Sequence, residues 1–199
     1  LLDQALSDKI ALVFDRPNCF TTAWKENPMD LASLIRDVPD FPVPGILFKD
    51  ITTLIQEPDA FKYVVDALTA RYQDEGIDAI AAIESRGFIF GAPLAYTLGT
   101  GFVIVRKPGK LPSSSISESY SLEYGTNVLE IHEDSIQPGQ RVLIVDDLLA
   151  TGGSARAAIN LVERLGGEVV GIVFLIELDF LNGRDQLEGY AIHSLVHFD

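Results

Sequence analysis

The stretch Val142-Leu-Ile-Val-Asp-Asp-Leu-Leu-Ala-Thr-Gly-Gly-Ser154 constrains this chain more than any other part of it. Its opening residues are apolar and mostly β-branched (Val142, Ile144, Val145). The run is too short for a buried helix and suits a strand of a parallel sheet covered on both faces. Asp146 and Asp147 stand where that strand is expected to end. Ala150-Thr-Gly-Gly-Ser154 follows and opens a helix whose Ala158, Leu161, Val162 and Leu165 fall on one face. A strand, a small-residue loop and a helix N-terminus together make an anion site. Free backbone N–H groups converge there, glycines let a ligand come close, and the helix dipole favours negative charge.

The loop lacks the lysine of G-x-x-x-x-G-K-[ST] and does not fit G-x-G-x-x-G. A phosphate held here rests on backbone N–H groups and the hydroxyls of Thr151 and Ser154. Asp146 and Asp147 repel phosphate and call for a hydrogen-bond donor, which the two hydroxyls of a ribose supply. The stretch therefore reads as a ribose-5-phosphate cradle. Paired aspartates at a strand end also ligate metal in receiver domains, but a receiver has no use for the Ala150–Ser154 loop that follows.

Around this stretch the chain alternates. Phe61, Val64, Val65, Leu68 and Tyr72 form a helical stripe after the turn at Glu57-Pro58. Residues 77–83 read as a strand ending at Glu84-Ser-Arg-Gly87, where a helix to Leu98 begins. Residues 101–107 form another strand, ending in the cations Arg106 and Lys107. Residues 108–125 show no sustained periodicity and read as a flexible lid, since unstructured connections of that length are usually functional or disordered. Strands are expected at 127–132, 168–178 and 190–198. Residues 29–36 read as a short first helix. This order predicts an α/β fold, a mostly parallel sheet with helices on both faces. Ligands in such folds sit beyond the carboxyl ends of the strands. Those are the ends where Glu84–Gly87, Arg106-Lys107 and Asp146-Asp147 fall.

Composition sets limits. With 199 residues, 47% of them hydrophobic, the chain suffices for one domain with an ample core. A net charge of −14 argues against a general nucleic-acid or anionic-membrane surface, so phosphates must be captured locally. The single cysteine, Cys19, excludes an internal disulfide framework and points to a cytoplasmic protein. Residues 1–28 differ from the rest and lack the features of a signal peptide. They are expected to be an extension dispensable for catalysis, with 29–199 the working domain. Loss of activity in a folded deletion variant would contradict that.

The segment at 142–154 resembles the PRPP-binding motif of the type I phosphoribosyltransferases. Phe41-Pro-Val-Pro-Gly-Ile-Leu-Phe-Lys-Asp50, Glu84-Ser-Arg-Gly-Phe88 and Tyr120-Ser-Leu-Glu-Tyr-Gly125 narrow the resemblance to the members that use adenine. It runs from about Ile35 to the C-terminus. It implies transfer of 5-phosphoribosyl from PRPP to adenine, giving AMP and pyrophosphate, with Mg²⁺ held mainly by PRPP and water. Asp146, Asp147, Ala150, Thr151, Gly152, Gly153 and Ser154 would then bind the ribose phosphate. Ser85, Arg86, Lys107 and Tyr124 would bind pyrophosphate. Phe48 would stack on the purine, with backbone groups of Leu47 and Lys49 reading its edge and Leu178 closing the pocket. Hood elements are expected near 36–50 and 178–199. Glu123, in the loop that closes over PRPP, is the expected acid/base or sugar-stabilising group, beside Arg86. The family more often has Asp at position 84. Its members are usually homodimers.

Three rival readings remain: a phosphoribosyltransferase for hypoxanthine-guanine or orotate, a PRPP-sensing regulator without turnover, and an inactive scaffold. A 6-oxo purine or orotate pocket usually wants a side-chain donor such as Lys, whereas Phe48 with flanking backbone looks more like an adenine site. No basic recognition helix supports a nucleic-acid-binding regulator. His132, His193 and His197 are scattered and are assigned no metal.

Overall fold

The computed structural model describes residues 29–121 and 126–199; the expectations for residues 1–28 lie outside it. The central sheet has the order β4-β3-β7-β8-β9, formed by Gly101–Val105, Ala79–Ile83, Arg141–Leu149, Glu168–Leu178 and Ile192–Phe198. All four pairings are parallel, as the alternation predicts. Alternate residues of β7 serve opposite faces. Leu143 and Val145 join one core with Leu54, Val64, Leu68, Phe90 and Leu94. Val142 and Ile144 join the other with Ala158, Leu161, Leu129 and Ile131. A strand buried on both sides must be apolar at every position, which is why this run shows no alternation.

The helices are α1 (Thr52–Gln56), α2 (Pro58–Tyr72), α3 (Gly87–Leu98) and α4 (Gly153–Arg164). Pro58 sits in the first turn of α2, where its missing N–H costs nothing, and Ala60, Val64, Val65, Leu68 and Tyr72 are buried. Among the described residues no helix is long and apolar enough to cross a membrane.

Three expectations are corrected. Residues 29–36 hold only a 3-10 turn, Ala32–Leu34. Arg36–Pro39 is instead strand β1, antiparallel to β2 (Leu47–Asp50), with Arg36 ion-paired to Asp50 at 2.5 Å across the register. This hairpin falls in the 36–50 stretch where a hood element is expected. Residues 108–125 are not wholly irregular, because Ser115–Ser121 is strand β5, paired antiparallel with β6 (Thr126–His132). Finally, β7 continues past the aspartates to Leu149, because β8 is long enough to pair with it as far as Glu177.

Candidate active site

The two aspartates therefore lie inside the carboxyl end of β7. Both are nearly closed off, Asp146 at 8% exposure and Asp147 at 4%. Asp146 Oδ1 accepts the Asp147 N–H at 2.9 Å. Burial, and then the charge of Asp147, push the Asp146 carboxyl well above the ordinary range. Burial raises Asp147 too, with the Arg86 guanidinium pulling against it. Two like charges in one dry place are costly, so this pair is arranged for partners that donate hydrogen bonds.

One such partner is Arg86, whose Nε reaches Asp147 Oδ2 at 2.8 Å. Arg86 ends the turn after β3, and Gly87 begins α3. The approach depends on that glycine. A Cβ there would lie 2.7 Å from the Val145 carbonyl and 3.2 Å from Asp146 Oδ1. The Glu84–Ser85 peptide before it is cis. Glu84 does not pair with Arg86. Its side chain, 4% exposed, binds Arg106 Nε at 2.8 Å and Lys110 Nζ at 3.0 Å, and accepts the Lys107 N–H at 3.0 Å. Burial alone would raise this carboxyl, but the hydrogen bonds from Lys110 and Arg106 outweigh it and bring it down to about 2. Lys107 is exposed and Ser85 is exposed beside Arg86. Arg106 and Lys110 were missed as a clamp because a sequence does not show which cations share a carboxylate.

Beyond the aspartates, Gly152 takes a left-handed φ of +84° and turns the chain into α4. The first bond from the helix back into the loop is Arg156 N–H to the Gly152 carbonyl at 2.9 Å. Among the described residues, the amides of Thr151, Gly152, Gly153, Ser154 and Ala155 donate to no protein acceptor. Five successive free N–H groups at a helix N-terminus have the geometry that suits an anion.

On the other side, Arg86 lies 5.2 Å over the ring of Phe48. Phe48 packs edge-on to Phe41 at 5.1 Å. With Val38 and Ile51 they line an open cavity of about 380 Å³, of whose wall Arg86 is also part. The sequence did not mark Val38 and Phe41 as pocket residues; Val38 comes there as the cross-strand partner of Phe48, a pairing only the hairpin register shows. Leu47 is half exposed. The Lys49 side chain points elsewhere, to Asp37 at 2.6 Å and over the Phe198 ring at 3.9 Å. Leu178 is buried at 9% in the core and does not line this cavity. Glu123 and Tyr124 lie outside the described residues.

Comparison with known proteins bears on this arrangement. A model of the phosphoribosyl transferase domain matches residues 52–192. Adenine phosphoribosyltransferase of Chloroflexus aurantiacus is 61% identical over 169 residues, covering 85% of this chain and 98% of that protein. The crystal structure of the adenine phosphoribosyltransferase of Thermoanaerobacter pseudethanolicus superposes with a TM-score of 0.82 at 56% identity, over 84% of this chain and 98% of that one. The Saccharomyces cerevisiae enzyme, solved with an imino-altritol bisphosphate and adenine, gives a TM-score of 0.79 at 43% identity, over 83% and 96%.

Proposed function

This chain belongs to the adenine phosphoribosyltransferase family, and from that premise we propose how its own residues divide the work. The reaction is transfer of the 5-phosphoribosyl group of PRPP to adenine, giving AMP and pyrophosphate, a purine salvage step. The bond from ribose C1 to pyrophosphate oxygen breaks as adenine N9 bonds to C1, through a state with oxocarbenium character. The proton on adenine must leave in the same passage.

The 5′-phosphate rests on the free amides of residues 151–155, with the hydroxyls of Thr151 and Ser154 beside them. Asp146 and Asp147 accept hydrogen bonds from the ribose hydroxyls, which relieves the repulsion between the two carboxylates. Arg86, assisted by Ser85 and Lys107, meets the departing pyrophosphate, and Tyr124 is assigned there from sequence. Phe48 stacks on the base and the backbone of Leu47 and Lys49 reads its edge, while Leu178, which does not line the cavity, is given no part in it. Glu123 keeps its sequence-based role, either taking the adenine proton or stabilising charge at C1.

Mg²⁺ is proposed to enter with PRPP. The two aspartates are hard oxygen groups, but Asp147 is engaged by Arg86 and Asp146 by a backbone amide. This set suits an ion held by substrate and water, with the aspartates near it through the ribose hydroxyls. Its chemistry there is neutralisation of the leaving pyrophosphate. A homodimer is the proposed assembly, formed through α3 and the sheet edge at β4, where Tyr96 is 87% and Phe102 39% exposed. A cytoplasmic setting completes the proposal.

The observation that carries the reading is Arg86, which pairs with Asp147 and also lies over the Phe48 ring. That contact supports the reading, because it brings the residues proposed for leaving group, ribose and base within reach of one another. Incubation of the protein with PRPP, Mg²⁺ and each of adenine, hypoxanthine, guanine and orotate tests it. AMP should form with adenine far faster than any other nucleotide. Equal or faster use of a 6-oxo purine would overturn the base assignment.

A further inference from the structure

The phosphate-facing loop is backed by a second piece of backbone. Gly183–Leu187 is a 3-10 segment that follows β8, and it lies directly behind residues 150–152. A Cβ on Gly183 would stand 2.2 Å from the Ala150 carbonyl oxygen and 2.9 Å from Leu149 Cδ1. In the opposite sense, a Cβ on Gly152 would stand 2.5 Å from the Gly183 carbonyl oxygen. Two glycines thus touch backbone to backbone, and the loop has no slack behind it.

The segment behind is itself fastened at three points. Arg184 forks onto Glu177 at the end of β8, Nε to Oε1 at 2.5 Å and Nη2 to Oε2 at 2.7 Å. Ser194 of β9 donates to the same Oε2 at 2.6 Å. Arg156, in the first turn of α4, donates from Nε to the Gln186 carbonyl at 2.7 Å, and Leu187 is fully buried. Glu177 also lies with Asp179 and His197 in a group whose ligand atoms all fall within 4.8 Å. Its two oxygens already accept from Arg184 and Ser194, so its chemistry here is to hold an arginine.

We propose that the Glu177–Arg184 fork is a positioning device for the phosphate loop. It presses Gly183 against Ala150 and Gly152 and so fixes the direction of the amides of residues 151–155. Neither side chain touches substrate. The fork spans two hydrogen bonds in a plane, which a lysine cannot reproduce. A rigid support of this kind keeps an anion site preorganised, so its loss weakens ligand binding more than it slows the bound complex. The inference rests on the reading that this loop holds the 5′-phosphate.

The test uses Arg184→Met, Arg184→Lys, Gly183→Ala and Glu177→Gln, with Glu168→Gln as a control. Glu168 pairs with Arg141 at 3.1 Å at the other end of the sheet. Ribose-5-phosphate binding is measured by calorimetry. KM for PRPP, KM for adenine, kcat and thermal stability are measured alongside. Arg184→Met and Gly183→Ala should weaken ribose-5-phosphate and raise KM for PRPP by about tenfold or more, with kcat and the adenine KM within about threefold. Arg184→Lys should recover only part of the loss, and Glu168→Gln should change none of these. Unchanged ribose-5-phosphate affinity in a folded Gly183→Ala or Arg184→Met protein would overturn the proposal. So would a parallel loss for adenine and ribose-5-phosphate that tracks stability. A wild-type protein that does not bind ribose-5-phosphate would instead overturn the reading of the loop, and this inference with it.

Discussion

Replacing Arg86 by Gln should cost stability in a way that depends on pH. Arg86 is the cation on Asp147, whose side chain is 5% exposed and which shares its site with Asp146. Removing one partner of a buried ion pair costs about 3–5 kcal/mol when the remaining charge must stay. A carboxylate can escape by taking a proton. From a reference pKa of about 3.9, that costs about 4 kcal/mol at pH 7 and about 1.5 kcal/mol at pH 5. Protonation therefore sets a ceiling that falls with pH. Arg86 is itself 37% exposed, so water already screens the pair and the loss lies below the ceiling. The expected deficit is about 2–3 kcal/mol near pH 7, shrinking to about 1 kcal/mol near pH 5.

The sign follows from linkage. Without Arg86 the folded-state pKa of Asp147 rises further above its unfolded value. The folded variant then binds more protons than the unfolded chain, and its stability falls as pH rises. Urea unfolding of both proteins across this range, compared at a common slope, reads the difference. A deficit that stays flat or widens on acidification would refute the account of Arg86 as the compensating charge. Turnover should stay low at every pH, since a proton on Asp147 does not replace the cation that faces pyrophosphate.

Glu84→Gln should release Arg106, Lys110 and the Lys107 amide together, costing about 1.5–3 kcal/mol near neutral pH. Because the Glu84 carboxyl is held down to about 2, its contribution is present above its unfolded pKa and lost as pH falls toward the folded value. The variant should therefore show a flatter acid limb in a stability–pH series, and a higher KM for pyrophosphate in the reverse reaction. Gly87→Ala drives a methyl group against the Val145 carbonyl and Asp146, an overpacking worth about 1–3 kcal/mol. It should also lower kcat/KM for PRPP, which steady-state kinetics on the folded variant will show. Phe48→Ala removes the stacking face and should raise KM for adenine by about 10- to 100-fold, leaving KM for PRPP near wild type.

What could be read from the sequence was whatever is encoded locally. Residues 142–154 carry strand, turn and helix start in one uninterrupted signal, and both the buried β7 and the free amides of the loop follow from it. The α2 stripe and the long β-branched β8 were legible for the same reason, since one segment holds the whole pattern. The hairpin at β5 was missed although its signal is present. Serines at 115, 117 and 119 alternate with Ile116, Glu118 and Tyr120, and Ile116 and Tyr120 pack on the core. Serine is a poor strand former, and the composition masked the period.

Residues 29–36 looked helical because Leu31, Leu34 and Ile35 fit that spacing, yet Arg36 is drawn into β1 by Asp50, fourteen residues on. The same cause hides the site's electrostatics. Asp147 with Arg86, Glu84 with Arg106 and Lys110, and Glu177 with Arg184 are pairings among acids and bases too numerous to match by inspection. Periodicity says which face of an element is buried, but only the fold decides which charge meets which. Among the described residues, Asp147, Glu84 and Glu177 each hold an ion pair with an arginine, whereas Asp146 is held by the Asp147 amide and side chain, with Arg86 acting on it only through space. Asp146 is therefore the group with most to gain from a ribose hydroxyl. Asp146→Asn should make the empty protein more stable while weakening PRPP binding, and a loss of stability in that variant would contradict the argument.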